Sequence, residues 1–166
     1  RGRLYAYAEG ELERRLYRWQ GGAWQPVPVK DNRGRYYDDL WLCAVSDSIG
    51  HLWIGARSGL ILSDGEGWYL SREVYSEMPA QPVAELIPPY GMIRCLVFAP
   101  NGDLWAGTPE GACRLRDGRW SYFWGRRWLP DNRVYAIAVD AQNRAWIATE
   151  RGVACIESRP MTLRQK

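Results

Sequence analysis

The run Trp124-Gly125-Arg126-Arg127-Trp128 sets two guanidinium groups between two indoles. That pairing suits recognition rather than bond-making. An aromatic face stacks on the apolar face of a sugar ring, while a planar guanidinium donates paired hydrogen bonds to a carboxylate or to hydroxyls. Arg57 and Arg151 sit in short Gly-containing turns, Tyr36 and Tyr37 in the polar stretch DNRGRYYDD, and Tyr90 in a Pro-rich insert over 73–92. Together these nine residues are the candidate ligand contacts, and an oligosaccharide or another small ligand is the expected partner. Ordinary solvated arginines on loops account for the same letters, so that reading stays open beside it.

Catalytic chemistry is thinly supplied. The one histidine, His51, falls two residues before Trp53 in a hairpin, where related segments have Asp103 and Arg144, and reads as an exposed strand-entry residue. No serine nucleophile motif or phosphate loop is present, and no catalytic residue and no cofactor are assigned. The one enzyme reading retained is a lyase for acidic polysaccharides, in which Tyr36, Tyr37 or Tyr90 removes a proton beside a carboxylate neutralised by arginine. Asp38 and Asp39 read as turn residues. Cys43, Cys95, Cys113 and Cys155 lack Cys-x-x-Cys spacing, which argues against a zinc site and for small buried side chains without disulfides.

Charge excludes one class of partner. Twenty arginines and two lysines against 19 acids leave a net charge of +3, with no basic run of the kind that tracks a phosphate backbone, so nucleic acid is not expected. No apolar stretch reaches the roughly 20 residues that span a bilayer, and no membrane contact is expected of this segment.

The elements that must position these residues are repeats. Val45–Leu60 reads VSDSIGHLWIGARSGL, Val97–Ala112 VFAPNGDLWAGTPEGA, and Ala138–Val153 AVDAQNRAWIATERGV. Trp53, Trp105 and Trp146 coincide, as do Gly59, Gly111 and Gly152. A degenerate fourth copy opens the chain at RLYAYAEG, with Tyr5 at the tryptophan position and Tyr7 at the following glycine position. The anchors are 48, 52 and 41 residues apart, which suits one propeller blade each.

Each full copy predicts four short antiparallel strands. In the third these are Ile93–Phe98, Leu104–Thr108, Ala112–Arg116 and Arg119–Phe123, separated by Pro-Asn-Gly-Asp, Pro-Glu-Gly and Asp-Gly turns. Runs such as Leu52-Trp53-Ile54-Gly55 are apolar on both faces, so each sheet must be covered on both sides. Radial stacking does this, with small residues at Gly55, Gly107 and Ala148 admitting the next blade and the tryptophans, including Trp24, Trp68 and Trp120, serving as core.

The expected fold class is therefore all-β: β-propeller blades of four antiparallel strands in about four repeats, at 1–29, 40–72, 92–124 and 133–160. The first and last are incomplete, which predicts a segment of a larger propeller with adjacent domains of a longer chain as partners. Thr162-Leu163-Arg164-Gln165 has the form of a capping box, so 161–166 reads as the start of a helix or a linker, or as a frayed tail.

At these segments the pattern D-x-x-G-x-L-W-I-G-T-x-x-G-L resembles the two-component regulator propeller repeat, and LPDNRVYAIA at 129–138 is similar to the family's connector. The resemblance implies a sensor-type β-propeller of bacterial extracytoplasmic proteins, commonly seven-bladed. It implies a periplasmic or extracellular location, a response to oligosaccharides and a non-enzymatic role. A scaffold that docks a neighbouring domain or protein is the alternative on the same frame. In either case the contacts belong on the turns between second and third strands and on the connectors between blades.

Overall fold

The computed structural model describes residues 4–9, 14–30, 39–63, 67–70 and 91–158. Among them there is no helix, and 14 strands form four sheets. The first holds β1 (Tyr5–Glu9), β2 (Arg14–Gln20) and β3 (Ala23–Val27). The second holds β4 (Trp41–Ser46), β5 (Leu52–Ala56), β6 (Gly59–Ser63) and β7 (Trp68–Leu70). The third holds β8 (Cys95–Phe98), β9 (Leu104–Thr108), β10 (Gly111–Arg116) and β11 (Arg119–Phe123), and the fourth β12 (Val134–Val139), β13 (Ala145–Thr149) and β14 (Gly152–Ile156). Every sheet is an antiparallel meander in chain order, as the repeat pattern predicts.

Turn chemistry fixes the registers. The glycine six residues after each anchor tryptophan has φ of 145° at Gly59, 146° at Gly111 and 141° at Gly152, a region that side chains disfavour. Before the anchor, Asp47 accepts from the amides of Ile49 and His51 and from Trp53 Nε1, the last at 3.2 Å. Asp140 repeats this with Gln142, Arg144 and Trp146 Nε1 at 3.1 Å. The Trp146 indole N–H first, then the amide and guanidinium of Arg144 and the amide of Gln142, hold the Asp140 carboxyl down to about 2.

The sheets stack face to face. β4 lies against β8 and β8 against β12, so these first strands form the inner side of the array. One core joins Trp53, Leu60, Cys43 and Val45 of the second sheet to Ile93, Leu104 and Ala106 of the third. Another joins Trp105, Ala112 and Phe123 to Leu129, Val134 and Ile147 of the fourth.

Small residues set the approach. A Cβ on Gly55 would lie 2.6 Å from both Cys43 Sγ and Ile93 Cγ2, and one on Gly107 would meet Cys95 Sγ and stand 2.6 Å from Val134 Cγ1. Between the first and second sheets the same node is an aromatic pair, Tyr7 on Trp41 with ring centroids 5.2 Å apart.

Two expectations about tryptophan need correction. Trp146 is 43% exposed, against 7% for Trp53 and 2% for Trp105, and Trp24 is exposed as well. The reason is one-sided cover. Trp53 and Trp105 lie between two described sheets, whereas Ala136, Ala138, Trp146, Val153 and Cys155 stand exposed on the face of the fourth sheet that corresponds to the packed faces of the second and third. Trp24 meets Trp19 edge-on, with ring centroids 5.3 Å apart.

All four cysteines are free thiols; Cys113 is buried and Cys43 and Cys95 half-buried, but Cys155 is exposed, against the expectation of a buried side chain. Burial pushes Cys43 and Cys113 up to about 12 and Cys95 to about 11, while Cys155 is exposed on the bare face. Iodoacetamide at neutral pH is therefore expected to modify Cys155 faster than the other three by an order of magnitude or more, and mass mapping of the labelled peptides checks this. Equal labelling of all four would contradict the sheet-on-sheet burial.

Candidate functional site

An antiparallel meander brings the β5–β6, β9–β10 and β13–β14 turns to the same end of their sheets as the connectors that enter β8 and β12. The described candidate contacts, Arg57, Trp124, Arg126, Arg127, Trp128 and Arg151, lie at this end. The connector after β11 is built as a turn: Gly125, with φ of 71°, accepts from the amides of Trp128 and Leu129 at 2.9 Å each. Its own amide donates to Asn132 Oδ1 at 2.7 Å. Leu129 is buried in the core between the third and fourth sheets and anchors the loop, leaving Trp124, Arg126, Arg127 and Trp128 exposed.

The geometry refines the expected sugar platform. Arg127 lies over the Trp128 ring at 5.3 Å, and Trp128 meets Phe123 edge-on at 5.2 Å. One indole face is thus already covered by its own cation, and Trp124 is the more open ring. Among the described residues neither Arg126 nor Arg127 has a carboxylate partner, so both guanidinium groups stay free for a ligand's oxygens.

Arg151 joins this cluster. Its Nε is 3.7 Å from Asp131 Oδ2 of the same connector, and the neighbouring Glu150 pairs with Arg133 at 2.8 Å. Exposed pairs of this kind contribute about 0–1 kcal/mol, so Arg151 is easily recruited by a competing anion. Arg57 lies elsewhere on the same end. It is exposed on the β5–β6 turn, its amide donates to Leu40 O at 2.9 Å, and Asp39 fastens the turn by accepting from Ser58 N at 2.9 Å and Ser58 Oγ at 2.6 Å. Asp39 is thus the turn residue expected. Tyr36, Tyr37 and Tyr90 lie outside the described residues, as do Asp38 and the segment 161–166.

His51 is occupied structurally. Its Nδ1 is 3.1 Å from Asp47 Oδ2, the carboxylate that also closes the β4–β5 turn. Among the described residues no three His, Cys, Asp or Glu side chains come together as metal ligands. Two residues that the sequence reading passed over are Arg94, just before β8, and Tyr135 on β12, with the guanidinium 5.3 Å over the ring. Their signal was a shared repeat position, 41 residues apart, hidden because it falls outside the regular strand alternation.

Four antiparallel meanders, three of them stacked through β4, β8 and β12, define a β-propeller architecture, and comparison with solved structures agrees. The chain aligns with the extracellular domain described as that of a hybrid two-component system of B. thetaiotaomicron, with a TM-score of 0.55 and 18% identity over 88% of this chain and 19% of that one. It aligns with PorZ, a surface component of the type-IX secretion system of Porphyromonas gingivalis, with a TM-score of 0.64 and 12% identity over 91% of this chain and 24% of that one. A protein described as a gluconolactonase aligns with a TM-score of 0.55 and 16% identity over 86% of this chain and 53% of its own.

The chain thus spans about a fifth to a quarter of the length of the first two. Residues 129–151, the connector and β12–β13 with the turn that follows, match the family model described as two component regulator propeller. At residues 129–151 the chain thus carries one match to that repeat. No curated protein gives a significant sequence match.

Proposed function

We propose that the chain is a non-catalytic, sensor-type ligand-binding propeller module that recognises an oligosaccharide through its inter-blade loops, in an extracytoplasmic setting. The observation that carries this is the 124–133 connector: two arginines without carboxylate partners among the described residues, flanked by two exposed indoles and held by the buried Leu129. Such a loop offers stacking and directional donors on a rigid base. The family repeat and the extracellular origin of the B. thetaiotaomicron neighbour support the sensing role and the location.

A glycan array followed by calorimetry tests the reading. Reversible binding without turnover is expected, weakened about tenfold or more by Arg126→Ala or Trp124→Ala, since each removes one recognition element. Binding of no saccharide, or binding indifferent to both changes, would remove it. A scaffold role on the same frame is the second reading, and it predicts no saccharide binding at all.

A further inference from the structure

Leu42, Arg94 and Tyr135 occupy one repeat position, 52 and 41 residues apart. In the second sheet the ladder slips between Trp41 and Cys43, and in the fourth between Val134 and Ala136, so Leu42 and Tyr135 drop out of the pairing. A bulge of this kind re-aims the side chain of the extra residue. In the third sheet β8 starts at Cys95, and Arg94 just before it donates its amide to Gly107 O at 2.8 Å. Since β4, β8 and β12 are the neighbouring first strands, the three residues form a row along the inner edge. The row lies at the same end as the turns carrying Arg57 and Arg151.

Among the described residues the row has a charge without a counter-charge. Arg94 is half-buried, its guanidinium rests over the Tyr135 ring, and Nη1 is shut off from solvent with no acceptor. Among the described residues Arg94 has no ion-pair partner. A half-buried guanidinium with one nitrogen short of an acceptor is a donor suited to an anion. Tyr135 beside it is 52% exposed, which leaves ring surface for an apolar face.

We propose that Arg94 and Tyr135 are the anion-reading point of the ligand site, taking the carboxylate of an acidic oligosaccharide on Arg94 while an adjoining sugar ring lies against Tyr135. The inference rests on the ligand-binding reading above and deepens it by naming the ligand class as uronate-bearing. Planar guanidinium and planar carboxylate match in a two-point bond, which a neutral sugar cannot form. Stacking on Tyr135 keeps the guanidinium oriented before the ligand arrives.

The test uses trigalacturonate as the acidic probe and maltotriose as the neutral one, read by calorimetry and by the arginine Nε–H signals in two-dimensional NMR. The Arg94 signal is expected to move with trigalacturonate and not with maltotriose. Arg94→Gln is expected to weaken trigalacturonate binding at least about tenfold, with Arg94→Lys intermediate because it keeps the charge and loses the fork. Circular dichroism on each variant checks that the sheets persist. Acidic binding that survives Arg94→Gln within about twofold overturns the inference and leaves the ligand-binding reading standing, since no desolvated charge-assisted bond would then have been lost. Failure of trigalacturonate to bind the unaltered chain also overturns the inference, and the ligand-binding reading then stands or falls separately on the glycan array.

Discussion

Gly107→Ala is expected to lower the unfolding free energy by about 1–3 kcal/mol, near the top of that range, although the change adds a single methyl group. The added Cβ would meet Cys95 Sγ within its own sheet and Val134 Cγ1 at 2.6 Å across the sheet interface. Neither neighbour is the free end of a flexible side chain. Val134 is fully buried and β-branched, and Cys95 is paired directly with Gly107 in the ladder. Relief therefore requires the third and fourth sheets to move apart, which loosens the core around Trp105 and Ile147.

The fourth sheet shows how the repeat accommodates a larger residue there. Where the second and third sheets pair Cys43 with Gly55 and Cys95 with Gly107, the fourth pairs Ala136 with Ala148. Bulk lost from the first strand is regained on the second. The double change Cys95→Ala/Gly107→Ala is accordingly expected to be less destabilised than the sum of its single changes, with a coupling of about 1 kcal/mol or more. Urea unfolding of the four proteins measures it, and strict additivity would show that Cys95 is not what the new methyl strikes.

That compensation marks how far the sequence could be read. The anchor tryptophans, the turn glycines and the four-strand copies were legible because each is a local pattern repeated in register, and the sheets follow them. The first copy looked degenerate at Tyr7 because its compensation lies across an interface, in the ring of Trp41. No local pattern announces such a pair. The solvent exposure of Trp146 was missed for a related reason: its strand follows the same apolar pattern as those of Trp53 and Trp105, and the cover of a neighbouring sheet is not written in it.

The candidate site divides in the same way. Arg126, Arg127 and Trp128 were visible as a cluster, because they are contiguous and bounded by a glycine turn, and Arg151 meets their connector as the blade topology requires. The cover of Arg127 over Trp128 was not visible, since it is a rotamer choice within a loop. Arg94 and Tyr135 were lost among ordinary strand letters. Whether such a residue faces the core or the inner edge depends on a one-residue slip in the ladder, which apolar alternation alone does not report.

Trp105→Ala is expected to cost about 3–5 kcal/mol, and Trp146→Ala about 1 kcal/mol, although the two residues hold one repeat position. Trp105 is 2% exposed, stacks on Phe123 at 5.2 Å with 29° between the rings, and has Arg114 above it at 5.5 Å. Its removal opens a cavity lined by Leu129, Val134 and Ile147, which a close-packed sheet pair cannot collapse to fill. Trp146 loses half its cover to solvent and keeps mainly the bond from Nε1 to Asp140.

The indole nitrogens sharpen the comparison. Ala99 stands where Asp47 and Asp140 serve the other anchors, so Trp105 Nε1 is buried without an acceptor. Its contribution comes from packing alone. Trp105→Phe should then cost less than about 1.5 kcal/mol, because it keeps much of the ring and discards an unmade donor, whereas Trp53→Phe also forfeits the 3.2 Å bond to Asp47. Chemical denaturation of these four variants orders them as Trp105→Ala, Trp53→Phe, Trp105→Phe with Trp146→Ala among the mildest. A Trp146→Ala loss equal to that of Trp105→Ala would mean that the outer face of β13 is covered in solution after all.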